Sequence, residues 1–182
     1  MAEYAGAPYA VAVDCCTNAI FLCCKWLRVG EVRIPAQTYA SVPMAVIHAG
    51  GTATFEDRPW QGSYQLAPYA LWDGAKRMRR SMYHSGLHCL SFHAKKRLAI
   101  GRGGMILTDD AAAVRWLRRV RYDGREGLPY AQERIDMLGW HCYMTPEQAA
   151  RGLQLLETLP DDSPDLIEDY PDLRRMPVFA RM

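Results

Sequence analysis

The first third of the sequence alternates short apolar runs with longer amphipathic runs, and this alternation limits the possible folds more than any other feature. The short runs have the length and β-branched content of buried strands, whereas the longer runs repeat their apolar residues at helical spacing. We predict strands at residues 9–13, 31–34 and 52–55, with helices at residues 17–27 and 41–49. Strands separated by helices need crossover connections, so the pattern predicts an α/β fold: a mostly parallel sheet with helices on both faces.

The second half of the sequence is less regular but continues the same pattern. Residues 58–68 are rich in Pro, Gly, Ser and Gln and are predicted to form a loop. Further strands are predicted at residues 69–72, 89–92 and 105–108, and further helices at residues 111–121 and 145–156. The last helix has Thr145 as its cap and Pro146 in its first turn. We therefore predict a domain at residues 1–159, followed by an Asp- and Pro-rich tail at residues 160–182 that wraps the surface or is disordered.

Composition and charge exclude several classes of protein. The 182 residues suffice for about one domain, and 49% hydrophobic with 23% charged residues argues against a disordered chain. A net charge of +2 gives no reason to expect nucleic acid as a partner. No apolar run approaches the roughly 18 residues of a transmembrane helix, and the first residues do not resemble a signal peptide. We therefore expect a cytoplasmic protein that binds neither a membrane nor nucleic acid.

The six cysteines give no sign of a disulfide framework or of a zinc site. Two adjacent pairs occur, Cys15 with Cys16 and Cys23 with Cys24, and their spacing does not match two close pairs of zinc ligands. A chain expected in the cytosol keeps its thiols reduced. We therefore predict buried, reduced thiols and no metal site.

Two polar residues follow predicted strands closely enough to bind a ligand. Thr17 and the backbone at Cys16 lie at the start of a predicted helix, where N–H groups and a hydroxyl can hold a phosphate. Asp73 follows an apolar strand, and a carboxylate at the carboxyl end of a parallel strand points into the usual ligand crevice. There it can pair with a protonated ring nitrogen. The alternatives are a capping role for Thr17 and a loop or capping role for Asp73.

A third segment combines two lysines with a glycine turn. It reads Ser-Phe-His-Ala-Lys-Lys from Ser91 to Lys96, and Gly-Arg-Gly-Gly follows at residues 101–104. A lysine that closely follows a buried strand can form a Schiff base with a carbonyl cofactor. Tyr39, at the end of another strand, can stack on a flat ring. The alternatives are a solvated basic turn for the lysines and core packing for Tyr39, and His93 is expected to hydrogen-bond in the core.

In their order and spacing, these segments resemble the DegT/DnrJ/EryC1/StrS sugar aminotransferases, which are pyridoxal-phosphate enzymes of aspartate-aminotransferase fold type I. The resemblance runs from about Glu3 to Leu156, and its most specific part is Ser-Phe-His-x-x-Lys followed by the glycine turn. It implies an abbreviated large domain of that fold, with pyridoxal 5'-phosphate as cofactor. It also implies transfer of an amino group from an amino acid such as glutamate to a nucleotide-linked keto-sugar.

The resemblance implies a role for each matching residue. Lys96 matches the lysine that forms the Schiff base, and its register fits better than that of the adjacent Lys95. Asp73 matches the acid that pairs with the pyridine nitrogen and so keeps the ring an electron sink. Lys96 and Asp73 are thus the implied catalytic residues, and Tyr39 matches the aromatic side chain that stacks on the ring. The residues implied to contact the cofactor are Cys16, Thr17, Tyr39, Asp73, Lys76, Ser91, Lys96 and His141.

The phosphate-binding segment departs from the family in one residue type. Ser91 and Thr17 match the phosphate cradle, but the Ser-Gly-Thr turn of the family is Cys15, Cys16 and Thr17 here. A cysteine lacks the freedom of glycine at positive φ. Lys76 stands where the family usually has Gln or His beside the cofactor.

Larger departures concern the length of the chain and its partner. The stretch between Asp57 and Asp73 is much shorter than in the family. The family has a small C-terminal domain that has no counterpart here after about Leu156. Its N-terminal arm likewise has no counterpart here before Glu3. His141 stands where the family has an Asn that reaches the cofactor phosphate of the neighbouring subunit, so the resemblance implies a homodimer.

The sequence leaves three interpretations open. The first is a compact, active aminotransferase, and the second is an inactive relative that keeps the fold as a cofactor- or partner-binding protein. The third is an unrelated basic binding module, which rests on the basic runs at residues 76–80 and 115–119. The second run has a simpler account, because Val114, Leu117 and Val120 share one helical face and leave the arginines in solvent.

Overall fold

The computed structural model describes residues 1–167 and 169–180, and these residues form seven strands and five α-helices. The strands are β1 (Tyr9–Val13), β2 (Glu31–Pro35), β3 (Thr52–Glu56), β4 (Tyr64–Gln65), β5 (Leu71–Asp73), β6 (Leu87–Ser91) and β7 (Gly104–Thr108). The helices are α1 (Ala2–Ala5), α2 (Cys16–Leu27), α3 (Ser41–His48), α4 (Ala111–Val120) and α5 (Pro146–Glu157), and single 3₁₀ turns lie at Tyr130–Gln132 and Leu173–Arg175. No helix within the described ranges is long and apolar enough to cross a bilayer.

The strands form a five-stranded mixed sheet and a separate parallel pair. The order in the larger sheet is β1-β7-β6-β5-β4, in which only β5 and β6 pair in parallel among the described strands. Strands β1, β5 and β6 therefore run in one direction, and β4 and β7 run in the other. The parallel pair of β2 and β3 is joined to this sheet by backbone hydrogen bonds between Arg33 and Ala67, with N···O distances of 2.7 and 3.1 Å. The α/β prediction is confirmed, but the larger sheet is mixed rather than mostly parallel.

Direct connections between neighbouring strands explain why the sheet is mixed. A parallel pair needs a crossover of a dozen or more residues, and the short link from β4 to β5 cannot supply one. The β6–β7 connection folds back like a hairpin: Phe92 N–H donates to Gly103 O at 2.9 Å, and Ala94 N–H donates to Gly101 O at 3.1 Å. Crossover units do form around α2 and α3, but β1 pairs with β7 instead of β2.

Most of the predicted elements are confirmed with small shifts at their ends. Helix α2 begins one residue earlier than predicted, and Thr145 caps α5 in a capping box with Gln148. The largest difference lies in residues 58–68, predicted as a loop, where β4 pairs with β5. Strand β5 also starts later than predicted and includes Asp73. Tertiary pairing decides both differences, because a two-residue strand leaves almost no periodicity in the sequence.

Two apolar clusters cover the two faces of the five-stranded sheet. Neighbouring residues of β7 divide between them, since Ile106 lies in the cluster with α2 and α4 and Leu107 lies in the cluster with α1. Helix α2 packs on β1, β6 and β7 through buried residues such as Ile20 and Cys23. This packing fixes the N-terminus of α2 at the edge of the sheet where β1, β5 and β6 end.

The six cysteines are free thiols, but they do not share one environment. The prediction of buried, reduced thiols is confirmed for Cys23, Cys24, Cys89 and Cys142. It is wrong for Cys15 and Cys16, which are only half-buried. The physical reason is their position, because the start of α2 faces an open cavity instead of the core.

The described residues of the tail wrap over the domain instead of leaving it. Leu173 and Phe179 are buried, and the Phe179 ring meets the Phe55 ring edge-on, with centroids 5.7 Å apart. Leu173 N–H donates to Ala36 O at 2.9 Å, next to the end of β2. Residues 168, 181 and 182 of the predicted tail lie outside the described residues. The tail is thus tied to the same side of the fold as β2 and β3.

Arginines of the first basic run hold the tail in place. The Asp165 side chain is 3% exposed and lies between Arg77 and Arg79, with N···O distances of 2.7 and 2.9 Å. Arg80 pairs with Asp161 at 2.6 Å, in a position open to solvent. These contacts engage the three arginines of that run within the chain. The interpretation of this run as a basic surface for another macromolecule is therefore unnecessary. The second basic run lies in α4, where Val114 and Leu117 belong to a buried apolar face and the arginines lie outside that face.

We expect the Asp165→Asn variant to loosen the tail without unfolding the domain. It loses charge-assisted hydrogen bonds that are worth about 1.5–3 kcal/mol when well shielded, and less here because the arginines are partly exposed. Hydrogen exchange of peptides from residues 161–167 and 170–176 should therefore become roughly 10-fold faster, since each 1.4 kcal/mol corresponds to about one power of ten. Asp161→Asn, which removes an exposed ion pair of the same tail, is the control and should change exchange little.

The same pair predicts how the wild-type tail responds to pH. Hydrogen bonds from Arg77 hold the pKa of Asp165 below its usual value. A lowered carboxyl pKa adds stability that is complete above the unfolded pKa of about 3.9 and is lost as the pH falls through the folded pKa. Acidification should thus loosen the wild-type tail more than the Asp165→Asn tail, which keeps only its other carboxylates to titrate, such as the exposed Asp161. Equal acid responses of the two proteins would contradict the assignment.

Candidate active site

A cavity of about 520 Å³ opens at the edge of the sheet where β1, β5 and β6 end and β7 begins. Its lining comes from the start of α2, the segment after β2, the ends of β5 and β6, the turn after β6, and the tail. The structure brings seven of the eight predicted cofactor residues to this cavity: Cys16, Thr17, Tyr39, Asp73, Lys76, Ser91 and Lys96. Residues far apart in the sequence meet here because the strands before them end at one edge.

His141 is the predicted residue that lies elsewhere. Its Nδ1 is 2.8 Å from Asp123 Oδ2, and its backbone bridges to Tyr122. It does not line the cavity of its own chain. The resemblance places the corresponding contact across a dimer, so the role of His141 stays a prediction about a second subunit.

Asp73 is the buried acid of the cavity. It ends β5, is 4% exposed, and accepts a hydrogen bond from Ala75 N–H at 2.9 Å. Burial raises the pKa of this carboxyl, while hydrogen bonds from Ala75 and the Tyr64 phenol and the charges of Lys96 and Lys76 oppose the rise. A buried carboxylate that burial destabilises gains from a cationic partner, and a protonated pyridine nitrogen would supply one.

The start of α2 forms a compact cradle beside Asp73. Thr17 Oγ1 lies 2.7 Å from Ser41 Oγ, and Ser91 lines the cavity from the end of β6. A Cβ on Gly104 would lie 2.7 Å from Cys16 N, so β7 approaches the start of α2 as closely as only glycine permits. Burial raises the pKa of the Cys16 thiol well above its usual value, which keeps it neutral. N–H groups, hydroxyls and an uncharged thiol at a helix N-terminus suit a phosphate.

The two candidate lysines differ in their surroundings. Both line the cavity, but Lys95 is exposed whereas Lys96 is half-buried. The charge of Lys96 acts on Asp73 and on Cys16, as its position between them requires. The turn that carries it is fixed by a hydrogen bond from Lys96 N–H to His93 O at 2.8 Å. These features favour Lys96 as the reactive amine.

His93 differs from its expected place in the core. It is exposed at the rim of the cavity, and its Nδ1 accepts a hydrogen bond from Lys95 N–H at 3.3 Å. The neighbouring Phe92 takes the core position instead, with an exposed fraction of 2%. Successive residues at a strand end point to opposite sides, which explains why only one of the two can be buried.

An aromatic wall that the sequence did not predict closes one side of the cavity. Trp60 and Tyr170 lie nearly parallel at 13°, with ring centroids 6.3 Å apart, and Tyr39 meets Tyr170 at 6.1 Å. The Lys76 ammonium lies 4.4 Å from the Trp60 centroid and 4.2 Å from the Tyr170 centroid, as in cation–π contacts. Tyr39 itself is 59% exposed, so its ring can be covered by a ligand.

The charges around the cavity favour an anionic ligand. Four described lining residues are cationic, namely Lys76, Lys95, Lys96 and Arg102, while Asp73 is the one acid among them. Arg102 pairs with Asp14 at 2.7 Å beside the start of α2. The donor set thus fits pyridoxal phosphate in three respects: a cradle for the phosphate, a buried acid for the ring nitrogen and an amine for the aldehyde. No cluster of His, Cys, Asp and Glu suited to a metal occurs among residues 1–167 and 169–180.

Comparisons with known proteins point in the same direction. The sequence model of the DegT/DnrJ/EryC1/StrS aminotransferase family matches residues 1–71 and 67–164. The spore coat polysaccharide biosynthesis protein SpsC of Bacillus subtilis (strain 168) is 25% identical over 215 aligned positions, which cover 88% of this chain and 55% of SpsC.

Solved structures share the fold at lower identity. A DegT/DnrJ/EryC1/StrS aminotransferase from Brucella abortus superposes with a TM-score of 0.75 at 20% identity, covering 88% of this chain and 57% of that one. DesV of S. venezuelae superposes with a TM-score of 0.73 at 23% identity, covering 87% and 54%. DesI, solved in the presence of its TDP-sugar product, gives 0.70 at 22% identity, covering 88% and 51%. The chain thus spans about half the length of the relatives it matches.

Proposed function

The chain belongs to the DegT/DnrJ/EryC1/StrS aminotransferase family, and from this premise we propose that it is a pyridoxal-phosphate-dependent sugar aminotransferase. One observation carries the proposal. The buried Asp73 shares a single cavity with Lys96 and with the N-terminus of α2, so an acid, an amine and a phosphate cradle lie within reach of one ring. Membership of the family also excludes the interpretation as an unrelated basic module.

Each group has a distinct task in this proposal. Thr17, Ser91 and the backbone at Cys16 hold the phosphate, and Asp73 holds the proton of the ring nitrogen. The cofactor, when bound, supplies an electrophilic carbon and an electron sink. The Lys96 amine would hold the cofactor covalently and, when free, would carry a proton to and from the substrate carbon.

The substrates follow from charge and from the relatives. We propose an amino acid such as glutamate as amino donor and a nucleotide-linked keto-sugar as acceptor. Lys95 and Arg102 at the rim provide positive charge for a carboxylate or a diphosphate. DesI, a relative in fold, was solved with a TDP-sugar product, and SpsC is named for polysaccharide biosynthesis. We further propose a cytoplasmic homodimer in which His141 serves the site of the second subunit.

The alternative is an inactive relative that keeps the fold as a cofactor- or partner-binding protein. One observation favours it: Tyr170 of the tail and the Lys76 ammonium line the cavity in contact with each other. Side chains that fill one side of a cavity leave less room for a large acceptor. This alternative predicts no turnover, whether the protein binds the cofactor or a partner.

A spectroscopic experiment separates the two proposals. Purified protein mixed with pyridoxal phosphate is expected to show the absorption band of a protonated Schiff base, because Asp73 and Lys96 share the cavity. Addition of L-glutamate should then convert the bound cofactor to its amine form. A band that glutamate leaves unchanged would support an inactive relative that binds the cofactor. The absence of any band would overturn the aminotransferase and leave an inactive relative that binds a partner.

A further inference from the structure

We infer that Tyr64 is a positioning residue for Asp73, at the centre of a buried polar chain formed by Thr38, Tyr64 and Asp73. Tyr64 and Asp73 face each other across the antiparallel pair of β4 and β5. The inference rests on the proposed function, because Asp73 matters here as the residue that holds the ring nitrogen of the cofactor. It adds to that function a residue that neither the sequence motifs nor the cavity lining contains.

The three side chains form a continuous polar path through the interior. Thr38, Tyr64 and Asp73 are 1%, 3% and 4% exposed. Thr38 Oγ1 lies 2.6 Å from the Tyr64 hydroxyl. Tyr64 is the direct cross-strand neighbour of Asp73, which brings its phenol to the Asp73 carboxylate. Tyr64 does not line the cavity, so a hydrogen bond lost at its buried hydroxyl leaves a polar atom without a partner.

The carboxylate decides the direction of the hydrogen bonds. A phenol carries one hydrogen, and an ionised Asp73 can only accept, so Tyr64 donates to Asp73. The phenol oxygen then accepts from Thr38 Oγ1, whose distance alone would allow either direction. With Asp73 ionised, as the proposed function requires, both hydroxyls donate toward the carboxylate and stabilise the form that can hold a protonated ring nitrogen.

The Tyr64 ring is itself held in place from behind. It packs against the Trp60 ring with centroids 4.6 Å apart at 60°, and Trp60 Nε1 donates to Gln37 O at 2.9 Å. Because Tyr64 does not line the cavity, it acts on the cofactor through the lining residues that it contacts, and Asp73 is the one among them that carries a charge. The Tyr64 hydroxyl and Ala75 N–H both donate to the Asp73 carboxylate. Together they fix its orientation, so that the rest of the carboxylate can face the ring nitrogen.

The position of β4 explains how such a contact arises in this chain. Tyr64 lies in the stretch between Asp57 and Asp73, which is the stretch that is shorter here than in the family. The short chain turns back directly and pairs β4 with β5 in antiparallel register. Tyr64 thereby comes to lie opposite Asp73, as the register of this pair requires.

Binding of pyridoxamine 5'-phosphate across a pH series tests the inference without catalysis. This probe has the ring nitrogen and the phosphate of the cofactor but forms no covalent bond with Lys96. In Tyr64→Phe we expect the acid limb of the affinity profile to move up by about one pH unit. Binding should weaken by up to about 10-fold at pH values on that limb and change little well above it, because Asp73 is ionised there in both proteins.

The sign of the pH shift follows from the charge of the carboxylate. Loss of the donor raises the pKa of Asp73 further, so a higher pH is needed to ionise it. A merely structural loss would weaken binding at every pH and leave the limb in place. The other titratable groups that act on Asp73 are the same in both proteins: Lys76, Cys16, Cys89 and Lys96.

Further variants keep the test decisive. Thr38→Val removes the outer donor, so its acid limb should shift in the same direction by less. Thr38→Ser keeps a hydroxyl, so its acid limb should return to the wild-type position. These two variants also test the inference if Tyr64→Phe fails to fold. Tyr83→Phe is the matched control, because its hydroxyl binds Gly86 O at 3.0 Å away from the cavity, and its limb should not move. An unshifted limb in Tyr64→Phe or in Thr38→Val would overturn the inference alone. Failure of the wild-type protein to bind the probe would overturn the proposed function, and the inference with it.

Discussion

The Lys96→Ala variant is expected to lose both the covalent adduct with pyridoxal phosphate and turnover. Borohydride treatment of the wild-type protein should fix the cofactor to Lys96, and peptide mass spectrometry should locate the added mass there. In the variant the mass should be absent, because we propose the half-buried Lys96 amine, which lines the cavity, as the group that reacts with the aldehyde. Turnover should fall by about 10⁴-fold, the upper end of what a positioned acid–base group supplies.

The adjacent lysine provides the control. Lys95 is exposed, lines the same cavity, and differs from Lys96 by one position in the turn. Lys95→Ala should therefore keep the adduct and most of the turnover. Mass added at Lys95 in the wild-type protein, or an adduct that survives in Lys96→Ala, would show that the register of the lysine motif is wrong.

The Asp73→Asn variant should gain stability while it loses activity. Burial raises the pKa of Asp73, and an acid with a raised folded pKa weakens the fold once the pH exceeds its unfolded pKa of about 3.9. Asparagine carries no charge, so the apoprotein should have a higher Tm than wild type at neutral pH, and the difference should vanish toward pH 4. The amide cannot hold a proton on the ring nitrogen, so transamination should fall roughly 100–1000-fold, as expected when a preorganised charge is removed.

A variant of a second aspartate, outside the cavity, is the control for the loss of a carboxylate as such. Asp110 caps α4 by accepting hydrogen bonds from Ala112 and Ala113 N–H groups, and asparagine caps a helix about as well. Asp110→Asn should thus leave both Tm and transamination close to wild type. A lower Tm for the Asp73→Asn apoprotein at pH 7 would mean that Lys96, Lys76 and Tyr64 outweigh the burial of the carboxylate.

The sequence predicted most accurately those elements whose ends depend on neighbouring residues in the chain. Helix α5 begins where Thr145 and Pro146 place it, and α2 follows β1 at the expected position. Strand ends predicted that Thr17, Asp73 and the lysine segment can bind a ligand, and the structure brings them to one cavity. The family resemblance, and not the strand pattern, singled out Ser91, Lys76 and the choice of Lys96 over Lys95.

Other parts of the site depend on contacts that leave no local pattern. Tyr64 matters because β4 pairs with β5, and Tyr170 matters because ion pairs of Asp165 tie the tail across the domain. Trp60 also belongs to the site, and a hydrogen bond from its Nε1 to Gln37 O holds it there. Neither periodicity nor residue type marks such positions, since a pairing partner or an anchor far along the chain decides their surroundings.

The pairing of β1 with β7 sets the order in which this fold can be completed during synthesis. β1 emerges from the ribosome early, yet among the described strands its sheet neighbour is β7, which has not been translated until Thr108 is added. Until then the apolar side of β1 has only helices to cover it, and its edge is open to other chains. Such non-local pairing slows folding, so nascent chains that stall before β7 should be the species that depends most on chaperones.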